Sequence, residues 1–432
     1  MKTMLRFGAV ALAVGTSLWA VAANAADDAS TTGGITVKSS DGNFEASLGG
    51  RIHFDGAILF PDDNSRLGIT NSKNDSGFFF RRVFISLKGK AYGWGYQMNE
   101  DISTNGSAAS GFNELWLEHS LLPGGTIYIG QHKPWRSMDE MSSNNNLPLM
   151  ERNVLSANGL FGGRDFTQGL YYRNVTKGLL GSGDSFWWGL SFYTDGKAGQ
   201  TTGRSYGSNA RLAYAPIVGA HEWLHFGLTY SYDNISRQGD GYGKIAPGYS
   251  TWYAKKGQGV TLVSFAGGSG NSGVNAGVGT AEIAGAYGAF YFQGEYGTTH
   301  QWSSLKGSAG ETATVSAFST TLAYMLTGET RPYSTSDASY GGVKPLHSYG
   351  AFEVAVRYDF ERNRTLSTCA IPIPAGGPAA TNCSVHSLTA GINYYVNPNV
   401  RFMINYSHGR INAGVPGGDH ANAIMARAQF AF

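Results

Sequence analysis

The sequence predicts an all-β fold, a transmembrane antiparallel β-barrel of about sixteen strands. Three observations predict it: an N-terminal export segment, recurring ten-residue stretches of alternating hydrophobicity, and a last strand that ends on an aromatic residue at the carboxyl terminus.

Residues 1–25 combine Lys2 and Arg6, an apolar stretch from Phe7 to about Ala22, and Ala23-Asn24-Ala25 as a small-residue cleavage site, which is the layout of a secretory signal peptide. The apolar run is too short and too interrupted by glycine for a membrane anchor, so the mature domain is expected to span residues 26–432. Removing Lys2 and Arg6 takes the formal net charge from +2 to zero. That balance argues against a nucleic-acid binder. Two cysteines in a chain bound for an oxidising compartment, Cys369 and Cys383, are expected to form one structural disulfide. Their separation does not suit a metal knuckle and no His/Cys cluster accompanies them, so neither a metal nor a cofactor is expected.

The full sequence is rich in glycine (61), tyrosine (24) and phenylalanine (23), and only 14% of its residues are charged. No segment after residue 25 reaches the ~20 consecutive apolar residues of a membrane helix. What recurs is period-two alternation, the signature of strands that meet lipid on one face and water on the other. From 222 to 232, Leu224, Phe226, Leu228, Tyr230 and Tyr232 share one face, opposite His225, Gly227, Thr229 and Ser231. Phe352, Val354, Val356 and Tyr358 do the same against Glu353, Arg357 and Asp359, and Val400, Phe402, Ile404 and Tyr406 against Arg401, Met403, Asn405 and Ser407. Tight turns near residues 92, 122, 217 and 397 alternate with long polar or Gly-rich connections at 61–76, 132–163, 234–278 and 361–384. This parity returns both termini to the periplasmic side, the end of the short turns. Residues 277–300 read either as one long strand or as two joined by a tight turn.

The final strand places Ile424, Ala426, Ala428, Phe430 and Phe432 on one face and Met425, Arg427 and Gln429 on the other. It resembles the C-terminal signal that the barrel-assembly machinery reads on bacterial outer-membrane proteins, so that machinery, outer-membrane lipid and lipopolysaccharide are expected partners.

The segment GFFFRRVFISLKGKAYG, residues 77–93, poses the sharpest local question. A charge on the lipid face of such a barrel costs roughly 2–4 kcal/mol near the midplane. Alternation sends Val83, Ile85, Leu87 and Ala91 to lipid, and Arg82, Phe84, Ser86, Lys88 and Lys90 to the lumen. Phe84 would then pack against a loop folded into the lumen. Arg81 falls in phase with the lipid face, which requires either a rim position from which it snorkels or a bulge that turns both arginines inward.

FFFRRVFISLKGKAYG, TIYIGQHKPW followed by LMERN, AYMLTGETRPY, INYYVNPNVRFMINYSH and AIMARAQFAF resemble, in order and over essentially the whole mature chain, the landmarks of the phosphate-selective porin O and P family. The resemblance implies a homotrimeric sixteen-stranded barrel whose third extracellular loop, here about residues 132–164, folds inward as a constriction. It also implies passage of small anions along lumenal arginines and lysines. The arginine pair at 81 and 82 matches the family motif, and Lys133, Arg136, Arg152 and Arg164 lie in or beside the loop. With Lys88, Lys90 and Arg211 they make up the expected anion pathway. A guanidinium presents forked donors to phosphate oxygens, which is why this residue type suits that cargo.

Lumenal phase also delivers acids: Asp101, Glu114, Glu118, Glu295 and Glu353. Anion preference therefore requires basic residues on one wall and acids on another, or at another depth. Arg357, Arg401 and Arg427 read more readily as ion-pair ladders than as solute contacts. Trp187, Trp188 and Trp302 read as girdle or strand-end aromatics, and Asp139, Glu140 and Asp165 as tethers of the inward loop. No nucleophile stands beside a scattered histidine in a way that would make an enzyme. The functions left are an outer-membrane diffusion channel preferring anions such as phosphate or polyphosphate, a general or weakly selective porin, and an envelope scaffold or adhesin.

Overall fold

In the computed structural model the described residues are 34–61, 76–103, 111–156, 160–161, 166–181, 183–194, 206–235, 248–249, 260–263, 274–303, 309–371, 379–414 and 420–432. The expected signal peptide, Arg164 and Asp165 lie outside them.

A short strand, β1 (Ile35–Lys38), precedes the barrel. The barrel begins with β2 (Phe44–Pro61), β3 (Gly77–Ala91), β4 (Trp94–Asp101), β5 (Gly111–Ser120), β6 (Gly125–His132), β7 (Thr167–Lys177), β8 (Ser185–Thr194), β9 (Tyr206–Val218) and β10 (Glu222–Ile235). The two-residue strands β11 (Gly248–Tyr249) and β12 (Val260–Thr261) pair only with each other. The wall resumes with β13 (Val274–Tyr287), β14 (Phe290–Ser303) and β15 (Thr312–Met325). A second small pair, β16 (Tyr333–Ser334) and β17 (Ser339–Tyr340), interrupts it before β18 (Ala351–Asn363), β19 (Ser384–Tyr395), β20 (Val400–Asn412) and β21 (His420–Ala431). Each wall strand is antiparallel to its neighbours, and β21 pairs with β2 to close sixteen strands into a barrel. Closure leaves the sixteen-strand wall without an edge strand, which the membrane demands because lipid offers no hydrogen bonds to backbone groups.

The alternation read from the sequence is realised residue by residue. Phe226, Leu228, Tyr230, Val356, Tyr358, Phe402, Ile404 and Tyr406 are exposed on the outer face, while His225, Thr229, Arg357, Arg401 and Ser407 are buried within. Residues 277–300 resolve into β13 and β14, joined by a tight turn in which Gly288 has φ of 54°. The final strand is locked at its end: Phe432 and Gly50 exchange backbone hydrogen bonds of 3.0 and 2.9 Å. Cys369 and Cys383 are bridged.

Between β2 and β3 the ladder runs His53↔Arg82 and then Phe54↔Phe80, which leaves Arg81 as the extra residue of a bulge. The bulge turns both arginines into the lumen, so neither meets lipid. Phe84 also faces inward, where the Arg51 guanidinium lies over its ring, 4.5 Å from the centre.

One long connection departs from the pattern of short turns. Residues 326–350, between β15 and β18, lie at the end of the barrel that carries the tight turns, and they fold upward into the lumen. They meet the loop after β6 there: the Tyr340 hydroxyl donates to Asp139 at 3.2 Å.

Candidate functional site in the lumen

The inward side chains are not uniformly polar. Val274, Ala276, Val278, Ala313, Val315, Ala317, Met403, Ala423 and Met425 form an apolar lining, covered by Met150, Val154, Leu155, Leu160 and Phe161 of the loop after β6. Leu262, Val263, Ile371 and Cys383 from other connections complete this cluster. Small inward residues make room: a Cβ on Gly297 would lie 2.5 Å from Leu160. Burial of this kind stabilises by about 25 cal/mol per Å² of apolar surface, so the loop is held as a packed layer.

Polar side chains then fix its path. The Trp135 indole donates to Leu190 O (3.1 Å), Met138 N to Glu282 (2.6 Å) and Asp139 N to Glu295 (2.9 Å), at the start of a one-turn helix α1 (Met138–Met141). On the return, Arg401 donates to Leu147 O, Arg427 to Met150 O and Arg357 to Glu151 O, each at 2.7 Å. The same guanidiniums pair with acids: Arg427 with Asp55 and Arg357 with Asp359 at 2.7 Å, and Arg401 with Glu353 at 3.8 Å. Arg211 pairs with Glu282 at 2.7 Å and donates to Ala338 O at 2.7 Å, tying the 326–350 segment to the wall. Arg331 binds Glu353 and donates to Asn146 O at 2.6 Å, so it joins the two inward segments.

The remaining space is a cavity of about 750 Å³ against β2–β7, bounded by the two inward segments. Seven basic side chains line it (Arg51, Arg81, Arg82, Lys88, Lys133, Arg152 and Arg173) against five acids (Asp101, Glu114, Glu118, Glu140 and Asp337). Two acids are taken up locally, Glu140 by Lys133 at 2.6 Å and Asp337 by Arg173 at 3.1 Å. Arg81 is held by Glu151 at 2.9 Å, while Arg82 reaches the same carboxylate only at 4.0 Å. Arg82 is 8% exposed and its Nη1 has no hydrogen-bond partner. Such an orphaned cationic donor is costly unless something answers it. Glu151 sits in the inward loop: burial pushes its carboxyl up, but the Arg81, Arg82 and Arg427 guanidiniums outweigh that and hold it well below the usual carboxylate range.

The sequence family model for phosphate-selective porins O and P matches residues 47–432. The chain belongs to that family. Porin O of Pseudomonas aeruginosa is 27% identical over the whole of this chain and 99% of its own length. Among solved structures, the anion-selective porin of Comamonas acidovorans superposes with a TM-score of 0.52 at 13% identity, covering 90% of this chain and all of that one. The trimer form of OmpT from Vibrio cholerae does so with a TM-score of 0.50 at 10% identity, covering 90% and 99%. The protein is thus an outer-membrane β-barrel porin.

Of the pathway residues expected in this porin, Arg81, Arg82, Lys88, Lys133 and Arg152 are brought together around the cavity. Lys90 is exposed near the short-turn end of β3, off the cavity lining. Arg136 is fully buried against the Phe161 ring, 4.4 Å from its centre, and Arg211 is buried in its pair with Glu282; neither lines the cavity. Arg51 went unselected although alternation with His53 and Asp55 marks it as inward. Trp187 is not a girdle residue: it is buried among Trp135 and Arg211, and its indole donates to Ser336 O at 3.0 Å. The loop-tether role expected of Asp139 is visible in its bonds to Asn153 N (3.0 Å) and the Tyr340 hydroxyl.

Proposed function

We propose that this porin is a passive diffusion channel that prefers anions such as phosphate or polyphosphate, and that it assembles as a homotrimer. The observation that carries the reading is Arg82, a buried guanidinium on the cavity wall with a donor left unanswered beside Arg51, Arg81 and Arg152. An anion entering from either end exchanges water for these forked donors and the flanking Lys88 and Lys133. No one site completes its coordination, so it can leave again, as conduction requires. At an effective dielectric of about 20, a unit anion 4 Å from a guanidinium gains about 4 kcal/mol before desolvation, enough to bias permeation and too little to trap the solute. Barrel fold and family membership support a channel rather than an enzyme. The trimeric relative of the same barrel shape supports the assembly.

Reversal potentials across planar bilayers in a KCl gradient test the proposal. The expected result is an anion bias with inhibition of the chloride current by phosphate. Cation preference, or no effect of phosphate, contradicts it, and an absence of conductance would favour the scaffold or adhesin reading.

A further inference from the structure

Charge around the open wall is divided by strand. β2 and β3 supply the cavity with Arg51, Arg81, Arg82 and Lys88, whereas the charged residues that β4 and β5 supply are all acids, Asp101, Glu114 and Glu118. Register places these charges side by side: Arg51 pairs with Phe84 and Phe84 with Asp101, so a cation and a carboxylate face the lumen on one rung, two strands apart. With strands about 4.8 Å apart, their Cα atoms are separated by about 10 Å. One rung towards the short turns, Glu114 aligns with Asn99 and Ser86, and Gln97 donates to its carboxylate. None of the three acids has an ion-pair partner among the described residues, and neither do Arg51 and Lys88. A purely anionic cargo gives no reason for carboxylates left open beside the guanidiniums, because they weaken the field that would attract it.

We infer that the cavity selects amphoteric solutes: compact molecules whose phosphoryl or carboxylate group binds at Arg51 and Arg82 while an ammonium group a few ångströms away is received by Asp101 and Glu114. This rests on the reading of the protein as an anion-accepting channel and names the cargo class of the same site. The orphaned Nη1 of Arg82 answers the anionic end, and Asp101 and Glu114, which accept neutral hydrogen bonds from Val83 N, Ser103 N and Gln97 but pair with no cation among the described residues, answer the cationic end. A solute aligned across the two walls has both charges matched, while a simple anion meets repulsion from the acidic wall.

The test compares two inhibitors of KCl current through the full-length porin in planar bilayers, ethylphosphonate and 2-aminoethylphosphonate, which differ by one amino group. Ethylphosphonate carries the greater net negative charge, so a wall that acts only through net positive potential would favour it. The inference expects the opposite order, with 2-aminoethylphosphonate half-inhibiting at roughly one tenth of the concentration, the scale of one added charge-assisted hydrogen bond. In Asp101→Asn/Glu114→Gln that preference should vanish while inhibition by ethylphosphonate strengthens. Equal inhibition, stronger inhibition by ethylphosphonate in the wild type, or a preference that survives the double substitution overturns the inference. The wild-type comparison decides even where the double variant does not fold. An anion bias in KCl together with equal inhibition leaves the channel reading standing and removes this one. Preferred inhibition by the aminophosphonate without an anion bias removes the preference for simple anions and keeps the amphoteric cargo of the same channel.

Discussion

The two halves of the lumen use the same inward-pointing residue types on the same alternating strands, and they put them to opposite uses. On the β9–β21 side, Arg211, Arg357, Arg401 and Arg427 end on carboxylates and on carbonyls of the inward segments. On the β2–β6 side, Arg51 and Arg82 end at a cavity. Phase along a strand decides that an arginine points inward, but whether water or a loop meets it there depends on where the long connections lie. The filled half is a small protein core turned inside the barrel, and the open half is a solvated wall. Each half predicts its own kind of failure on substitution.

The largest loss of stability is expected from Glu353→Ala in the filled half. It removes the partner shared by Arg331, Arg401, Asn393 and Tyr395 and leaves buried guanidiniums unpaired, at a cost of about 3–5 kcal/mol. Denaturant unfolding in detergent should show this, with a rise in conductance as the inward segments loosen. Next is the Cys369–Cys383 bridge, with a sequence separation of 14; its loss releases about 3 kcal/mol of loop entropy in the chain-entropy model. Cys369→Ser/Cys383→Ser should lower stability and leave ion selectivity unchanged. In the open half, Arg82→Ala should weaken phosphate inhibition roughly tenfold, the loss of one charge-assisted contact, with a smaller effect on unfolding than Glu353→Ala. If Arg82→Ala unfolds the barrel as readily, the contrast between the halves is wrong.

Glu151 joins the halves, since it binds Arg81 on one side and Arg427 on the other at 2.9 and 3.0 Å. Its carboxyl is held below its ordinary value in the folded state, so the stabilisation is fully present above the unfolded value of about 4.3 and is lost as pH falls towards the folded one. Conductance and thermal stability should hold steady from neutral pH to about 5 and change below it. Glu151→Gln should remove that contribution to the acid dependence. The smallest effect is expected of Lys90→Ala, off the cavity, where neither selectivity nor unfolding should move by more than about 0.5 kcal/mol.

The barrel was legible because its information is local. Alternation, turn chemistry and the terminal Phe432 each act over a few residues, and the cost of a charge in lipid was enough to require a bulge or a rim position at Arg81. The bulge is the solution adopted. The open wall was partly legible for the same reason, and Arg51 could have been added by counting two residues back from His53. The filled half was not. Arg211 looked like a pathway residue because its acid, Glu282, lies on another strand distant in sequence. Trp187 looked like a girdle residue because the 326–350 segment that covers it enters from the end where turns are usually short. These placements depend on contacts between connections, which no local pattern encodes.

The most direct measurement places one substitution from each half in the same bilayer experiment. Reversal potentials in a KCl gradient would be recorded for the wild type, Arg82→Ala and Arg401→Ala. The wild type should be anion-selective, Arg82→Ala should move the potential strongly towards zero, and Arg401→Ala should leave its sign and most of its size intact. An unchanged potential in Arg82→Ala, or a larger change in Arg401→Ala, would contradict the assignment of conduction to the β2–β6 wall.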